Sequence, residues 1–445
     1  MIVQSRQRWL VIAHAFNMDG RAASQTITDK LPHLKKAGIE VVILSGVSGR
    51  KDTEFEHHQL WPMGPAGFRF ELRHVLSRRF GKGIRYRLLL LLASVFFLPW
   101  MLLEKWFKPV ESSWSWWLSA YLKGRALARQ KPFDLIYSTG GAFAAHLAAR
   151  SLKNATGVPW LAEVHDPLVI PGELPVSAQQ KMQAEVERQI CTDADVAIWF
   201  TEKALSSARK RHPQLAERGQ MMLPGIDKPF DLLPPYQPSP KFVIGHFGSL
   251  STSRHLGLVI SALELLQERR TDLLDAIELH IYGGPLDPVS SEALIHSRVV
   301  RCVRYFGRIE ADSLTGLSGR EQILHRMRSV DVLLLLHGVD VICSEYIPSK
   351  LYEYLWMQRP ILAIVHRNPQ MASLISEQGH LVVSSGQEGV EQCVVKQELV
   401  SCLEQLFDRW RAVGLTDNGS AGFHTTEAAV AKLLGWANQT KKVLR

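Results

Sequence analysis

Short apolar runs alternate with helical patterns along the whole chain, and that alternation demands parallel sheets. Trp9–Ala15 (WLVIAHA) reads as a strand, followed by a turn containing Gly20. Ile27, Leu31 and Leu34 then line one helical face, Gly38 stops the helix, and Ile39–Leu44 (IEVVIL) reads as the next strand. Parallel strands need a crossover, and here a helix supplies it. The pattern recurs at residues 134–138 with Thr139-Gly140-Gly141 and a helix, at Trp160–Val164, and at Val196–Phe200. It continues at Phe242–Phe247, Ile277–Tyr282, Val303–Phe306, Val330–Leu336 and Ile361–Val365. The fold class is therefore α/β. The first turn does not spell GxGxxG, so no dinucleotide fingerprint is present.

A chain of 445 residues exceeds one hydrophobic core. Residues 231–241 carry Pro234, Pro235, Pro238 and Pro240 and read as a linker. We therefore expect a first domain over 1–230, a second over 242–424 and a final segment over 425–445. Five cysteines, an odd number without metal-like or paired spacing, fit a reducing compartment.

The net charge of +9 suggests an anionic partner. Its placing is uneven. Between Arg69 and Lys108 nine basic residues face only Glu71 and Glu104, leaving +7 in that window. Inside it, Leu88–Leu103 holds sixteen residues without a charge, interrupted by Pro99, and Trp106, Trp114, Trp116 and Trp117 follow. About 65–125 thus reads as a basic, hydrophobic insertion. Three readings stay open for 88–103: a buried core helix, an element lying in one membrane leaflet, or a span, for which sixteen residues are short of ~20. Basic flanks and tryptophans favour the leaflet, on an anionic surface. No nucleic-acid partner is expected, because the charge is clustered beside an apolar run and no recognised module is present.

Candidate chemistry sits at strand ends. His165 and Asp166 follow Trp160–Val164, at the carboxyl edge where open α/β sheets bind ligands. The loop Gly248–Arg254 offers hydroxyls, including Ser249, and the Arg254 guanidinium, which suit an anion. In the stretch from Glu345 to Pro360, Pro348-Ser349 reads as a helix entry with Ser349 as the N-cap, and the helix would run to about Arg359. Lys350 adds a cation there. Glu345 and Glu353 would not bind phosphate; they suit sugar hydroxyls, or, on spacing alone, Glu353 is a surface helix residue and Glu345 a solvating loop residue.

The Glu345-to-Glu353 spacing within EYIPSKLYEYLWMQRP resembles the donor-site signature of retaining glycosyltransferases of family four. His165-Asp166, Leu223–Asp227, Gly248 to Arg254 and Tyr282-Gly283 match the same family in order. The resemblance implies the GT-B fold, two Rossmann-like domains facing a cleft, with the nucleotide-sugar donor on the second domain and the acceptor on the first. A final helix near Thr426–Lys441 would return to the first domain. Carried over by residue, Glu353 would bind ribose, Glu345 the donor sugar, and Pro348, Ser349 and Lys350 the diphosphate, with Arg254 neutralising it. Tyr282 and Gly283 would border the base, His165 would face the transferred sugar, and Gly20 would approach from the first domain. The departures are a single glycine in NMDG, Ser249 in place of a basic residue, and Ile347-Pro348 in place of Phe-Gly.

The implied reaction is hexosyl transfer with retention to a glycan or lipid-linked acceptor, in cell-envelope polysaccharide or glycolipid synthesis. No DxD-like acidic cluster stands where a metal-bound diphosphate would need it, so neither metal nor cofactor is expected. The expected location is cytoplasmic, peripheral on the inner face of the membrane. The competing expectation is a membrane-associated nucleotide-sugar-binding protein without transferase activity.

Overall fold

The computed structural model describes residues 7–18, 22–229, 235–309, 316–415 and 425–443. Two compact units are present: residues 1–227 with 424–445, and residues 228–423. Pro235–Lys241 of the proline-rich stretch is described; 231–234 lies outside the described residues.

The first unit is built on seven strands: β1 (Arg8–Ile12), β2 (Glu40–Gly46), β3 (Glu56–Leu60), β4 (Leu135–Gly140), β5 (Trp160–Val164), β6 (Val196–Trp199) and β7 (Gly219–Met221). They lie in the order β3-β2-β1-β4-β5-β6-β7, all parallel. The order reverses between β1 and β4, which is where such sheets take ligands. The second unit repeats the plan with β8 (Phe242–Phe247), β9 (Ile277–Tyr282), β10 (Val303–Gly307), β11 (Val332–Leu336), β12 (Ile361–His366) and β13 (Leu381–Ser385). Their order is β10-β9-β8-β11-β12-β13, again parallel, with the reversal between β8 and β11.

The central strands are buried on both faces, which explains their unbroken apolar runs. Helix α1 (Ala22–Lys36) buries Ile27, Leu31 and Leu34 against one face of the first sheet. The helix Thr426–Val443 adds Ala429, Val430, Leu433 and Ala437 to the same cluster.

Between β3 and β4 lie α2 (Pro65–Phe80), α3 (Ile84–Phe107) and α4 (Trp116–Gln130). Helix α4 is a core crossover, with Trp116, Ala120 and Leu127 buried. Trp116 is thus a core residue and not an interfacial one. The buried-core reading of Leu88–Leu103 is overturned, because none of the 24 residues of α3 is buried. The helix outruns the charge-free stretch at both ends, since Arg85, Arg87 and Lys105 are exposed and Glu104 accepts hydrogen bonds from Ala66 N and Trp114 Nε1.

In the second unit Arg359 is fully buried, and its guanidinium donates to the carbonyls of Val330 (3.0 Å), Asp331 (3.1 Å) and Leu415 (3.0 Å). It also stacks on the Tyr236 ring at 3.4 Å. The expected helix therefore stops early. It covers Lys350–Trp356, Gln358 takes φ 51°, and Arg359 turns inward.

Candidate active site

In the first unit His165 stands one residue beyond β5, with its ring buried and stacked on Phe200 at 4.8 Å. Its Nε2 lies 2.9 Å from Glu163 Oε1 and 2.8 Å from Thr139 Oγ1. Thr139 also donates to Glu163 Oε1 (2.8 Å), Tyr137 donates to Glu163 Oε2 (2.7 Å), and Lys30 Nζ reaches Glu163 Oε2 at 2.5 Å. Burial opposes ionisation of Glu163, but Lys30 and His165 overcome it and hold that carboxyl well below the usual glutamate range. An ionised carboxylate accepts only, so Nε2 of His165 is the donor in that contact. Asp166 is exposed beside Gly141. Gly20 lies outside the described residues.

In the second unit the loop after β8 folds back on itself: Ser251 and Arg254 exchange backbone hydrogen bonds of 2.8 and 3.0 Å. Ser249 is exposed. The Arg254 guanidinium donates to Tyr346 Oη at 2.6 Å. This ties the loop after β8 to the turn after β11. Asn368 pins the same turn by donating to the Tyr346 carbonyl at 2.9 Å. Glu345 ends the short turn Val341–Glu345 and is buried.

Ser349 does not cap the following helix. It is itself in the α region with no capping bond, so the helix starts without a side-chain cap. The first turn instead closes through Leu351 N to Pro348 O (3.0 Å) and Tyr352 N to Ser349 O (3.1 Å). Lys350 Nζ lies 2.7 Å from Glu353 Oε2, and Arg320 approaches Glu353 Oε1 at 3.7 Å. The structure thus brings together Arg254, Glu345, Pro348, Ser349, Lys350 and Glu353 on two neighbouring segments at the switch point of the second sheet.

Tyr282 is buried in a stack between Phe247 (4.7 Å) and Phe306 (4.6 Å). Gly283 has φ 154°, and a Cβ there would lie 2.0 Å from the Gly248 carbonyl oxygen. Its glycine is required by the close approach of two backbone turns.

Sequence reading missed several members of these sites. Lys30 and Glu163 were passed over inside apolar patterns, although a glutamate within WLAEV is itself a signal. His246 and His337 were also missed. Both are buried, and each has an Nε2 without a hydrogen-bond partner. Burial, with Arg254 nearby, lowers both to about 4. They are therefore neutral at pH 7 beside the cationic groups.

Comparison with known proteins agrees with this plan. Residues 22–218 match the family model described as a Glycosyl transferase 4-like domain. Among solved structures, TarM superposes with a TM-score of 0.62 at 9% identity, covering 98% of this chain and 100% of that one. WaaG, a glycosyltransferase involved in lipopolysaccharide biosynthesis, gives 0.55 at 15% identity, covering 96% and 98%. Anabaena HepE in complex with UDP-glucose gives 0.52 at 12% identity, covering 98% and 99%. No curated protein matches the chain. The fold is GT-B: two all-parallel Rossmann-like units in one chain.

Proposed function

We propose that this chain is a retaining glycosyltransferase that moves a sugar from a nucleotide-sugar donor to a glycan or lipid-linked acceptor in envelope polysaccharide or glycolipid synthesis. The observation that carries this is the joining of Arg254 to Tyr346, next to buried Glu345 and the Lys350–Glu353 pair. That cluster gathers two cations and two carboxylates at one sheet edge. The cations suit a diphosphate, and the carboxylates suit hydroxyls on either side of it.

The second unit takes the donor. Arg254 and Lys350 stabilise the departing diphosphate in place of a metal ion, Glu353 holds the ribose and Glu345 the sugar. The acceptor belongs to the first unit, where His165 stands at the carboxyl edge of the sheet. The match of residues 22–218 to a glycosyltransferase domain supports this reading, as does the UDP-glucose held by a structural neighbour of the same fold. The protein works as a peripheral protein on the inner face of the cytoplasmic membrane.

The test is a thermal-shift series with UDP, GDP, ADP, CMP and their sugars on wild type and Glu353→Ala. One nucleotide should stabilise the wild type and not the variant. Absence of any shift would overturn donor binding. Binding without transfer to any lipid-linked acceptor would leave a nucleotide-sugar-binding protein. Transfer abolished by EDTA and restored by magnesium would refute the metal-free step.

A further inference from the structure

Helix α3 is long and apolar enough to cross a membrane: its 24 residues span roughly 36 Å against a hydrocarbon core of ~30 Å. Its packing points to another placement. Only Leu90, Ala93, Ser94, Phe97, Met101 and Glu104, with Tyr86, are partly covered, and from Leu90 onward they recur at helical spacing as one stripe. That stripe lies along α2. Phe68 meets Phe97 at 5.3 Å, and Arg69 Nε donates to Ser94 Oγ at 3.0 Å.

Helix α2 is itself fastened to the domain at three points. At its start, Ser115 Oγ accepts from Gly64 N at 2.8 Å, while Glu104 of α3 accepts from Ala66 N at 2.7 Å and so joins the two helices. At its middle, buried Glu71 Oε1 lies 3.2 Å from Nε2 of buried His14, just past β1. At its end, Arg78 donates to the carbonyls of Val47, at 2.5 Å, and Ser48, just past β2. The turn Gly81-Lys82-Gly83 therefore starts at the domain surface, and α3 runs back along a helix that never leaves it.

The rest of the circumference of α3 is bare. Leu91, Val95, Phe96, Trp100, Leu102 and Trp106 are exposed by half or more. Such a strip has to be covered. Its chemistry names the cover: exposed Arg79, Lys82, Arg85 and Arg87 gather at one end, and exposed Lys105 follows Trp100 toward the other. Cations flanking an apolar strip with interfacial tryptophans match anionic headgroups over acyl chains.

We propose that α3 lies flat in a single leaflet of an anionic bilayer, parallel to the membrane plane, as a monotopic anchor held in that orientation by α2. This rests on the membrane association proposed above, but not on the donor chemistry.

The full-length protein is tested on vesicles of phosphatidylcholine alone and with phosphatidylglycerol. Binding is expected to the anionic vesicles. Leu91→Asn with Phe96→Asn should weaken it by about a hundredfold, since each buried apolar side chain is worth about a decade. Spin labels at positions 88, 95 and 102 in a Cys393→Ser background then report depth. The expected result is one shared depth in one leaflet. A label at 95 near the bilayer centre, with 88 and 102 near opposite surfaces, would overturn the flat orientation in favour of a span. No vesicle binding, with self-association lost in the double variant, would replace the lipid by a second copy of the chain. The nucleotide thermal shift of the labelled proteins is read separately, so failure of the anchor and failure of the transferase reading remain distinct.

Discussion

The Lys350 ammonium sits 2.7 Å from the Glu353 carboxylate, one turn along the same short helix. Each is therefore the other's counter-ion before any donor arrives. A diphosphate would draw Lys350 away, and ribose hydroxyls would replace it on Glu353. Lys350→Ala and Glu353→Ala should each weaken nucleotide-diphosphate binding by about 2 kcal/mol, the worth of a charged hydrogen bond. Their effects should not add, because the pair is coupled. Calorimetric titration of both single variants and the double variant checks this.

Glu163 gives the first unit an acid limit. Its folded carboxyl titrates well below the ordinary 4.5, so the stability it contributes is present above that value and is lost progressively as pH falls from there toward the lower folded value. Lys30→Met would strand the carboxylate and should cost about 3–5 kcal/mol. Urea unfolding of Glu163→Gln between pH 3 and 6 should show a flatter profile than wild type.

The buried histidines act over a higher window. His57, His146, His246, His337 and His380 are each lowered to about 4, burial being the first cause in every case. The folded state resists protonating them while the unfolded chain accepts protons from about 6.5. Stability should hold above that pH and decline between it and about 4. Melting temperatures across pH 4–8 should fall on the acid side, and less steeply in His337→Gln.

At Gly283 an added methyl would press on the Gly248 carbonyl, in a region of φ that side chains avoid. Gly283→Ala should cost about 2–3 kcal/mol. It should also blunt nucleotide binding, because the Gly248–Arg254 loop has to shift. Gly284→Ala is the control, since its Cβ would meet only Ser249 at ordinary distance. Chemical denaturation of both variants separates the two effects.

Much of the architecture is legible in the residues. Strands buried on both faces write themselves as WLVIAHA or VDVLLLL, and helices such as α1 keep a clean apolar face. What stayed hidden depends on distance. His14 and Glu71 are 57 positions apart, and nothing local in either predicts that they meet. The pairing of Arg254 with Tyr346 is equally non-local. The sequence predicts a helix longer than Lys350–Trp356 because Arg359 looks like a surface cation. Only the carbonyls of Val330, Asp331 and Leu415 make it a core residue. For α3, composition could not choose among its possible environments. The structure removes only the buried core, since no residue of α3 is buried.

Arg359 has one more consequence. Tyr236 near the start of the second unit and Leu415 near its end both rest on this one guanidinium. Entry and exit of the chain therefore meet at a single stitch, and residues 235–415 form a cassette with adjacent ends. Cutting it out, or rejoining its ends through a short loop, would not ask its sheet to change partners.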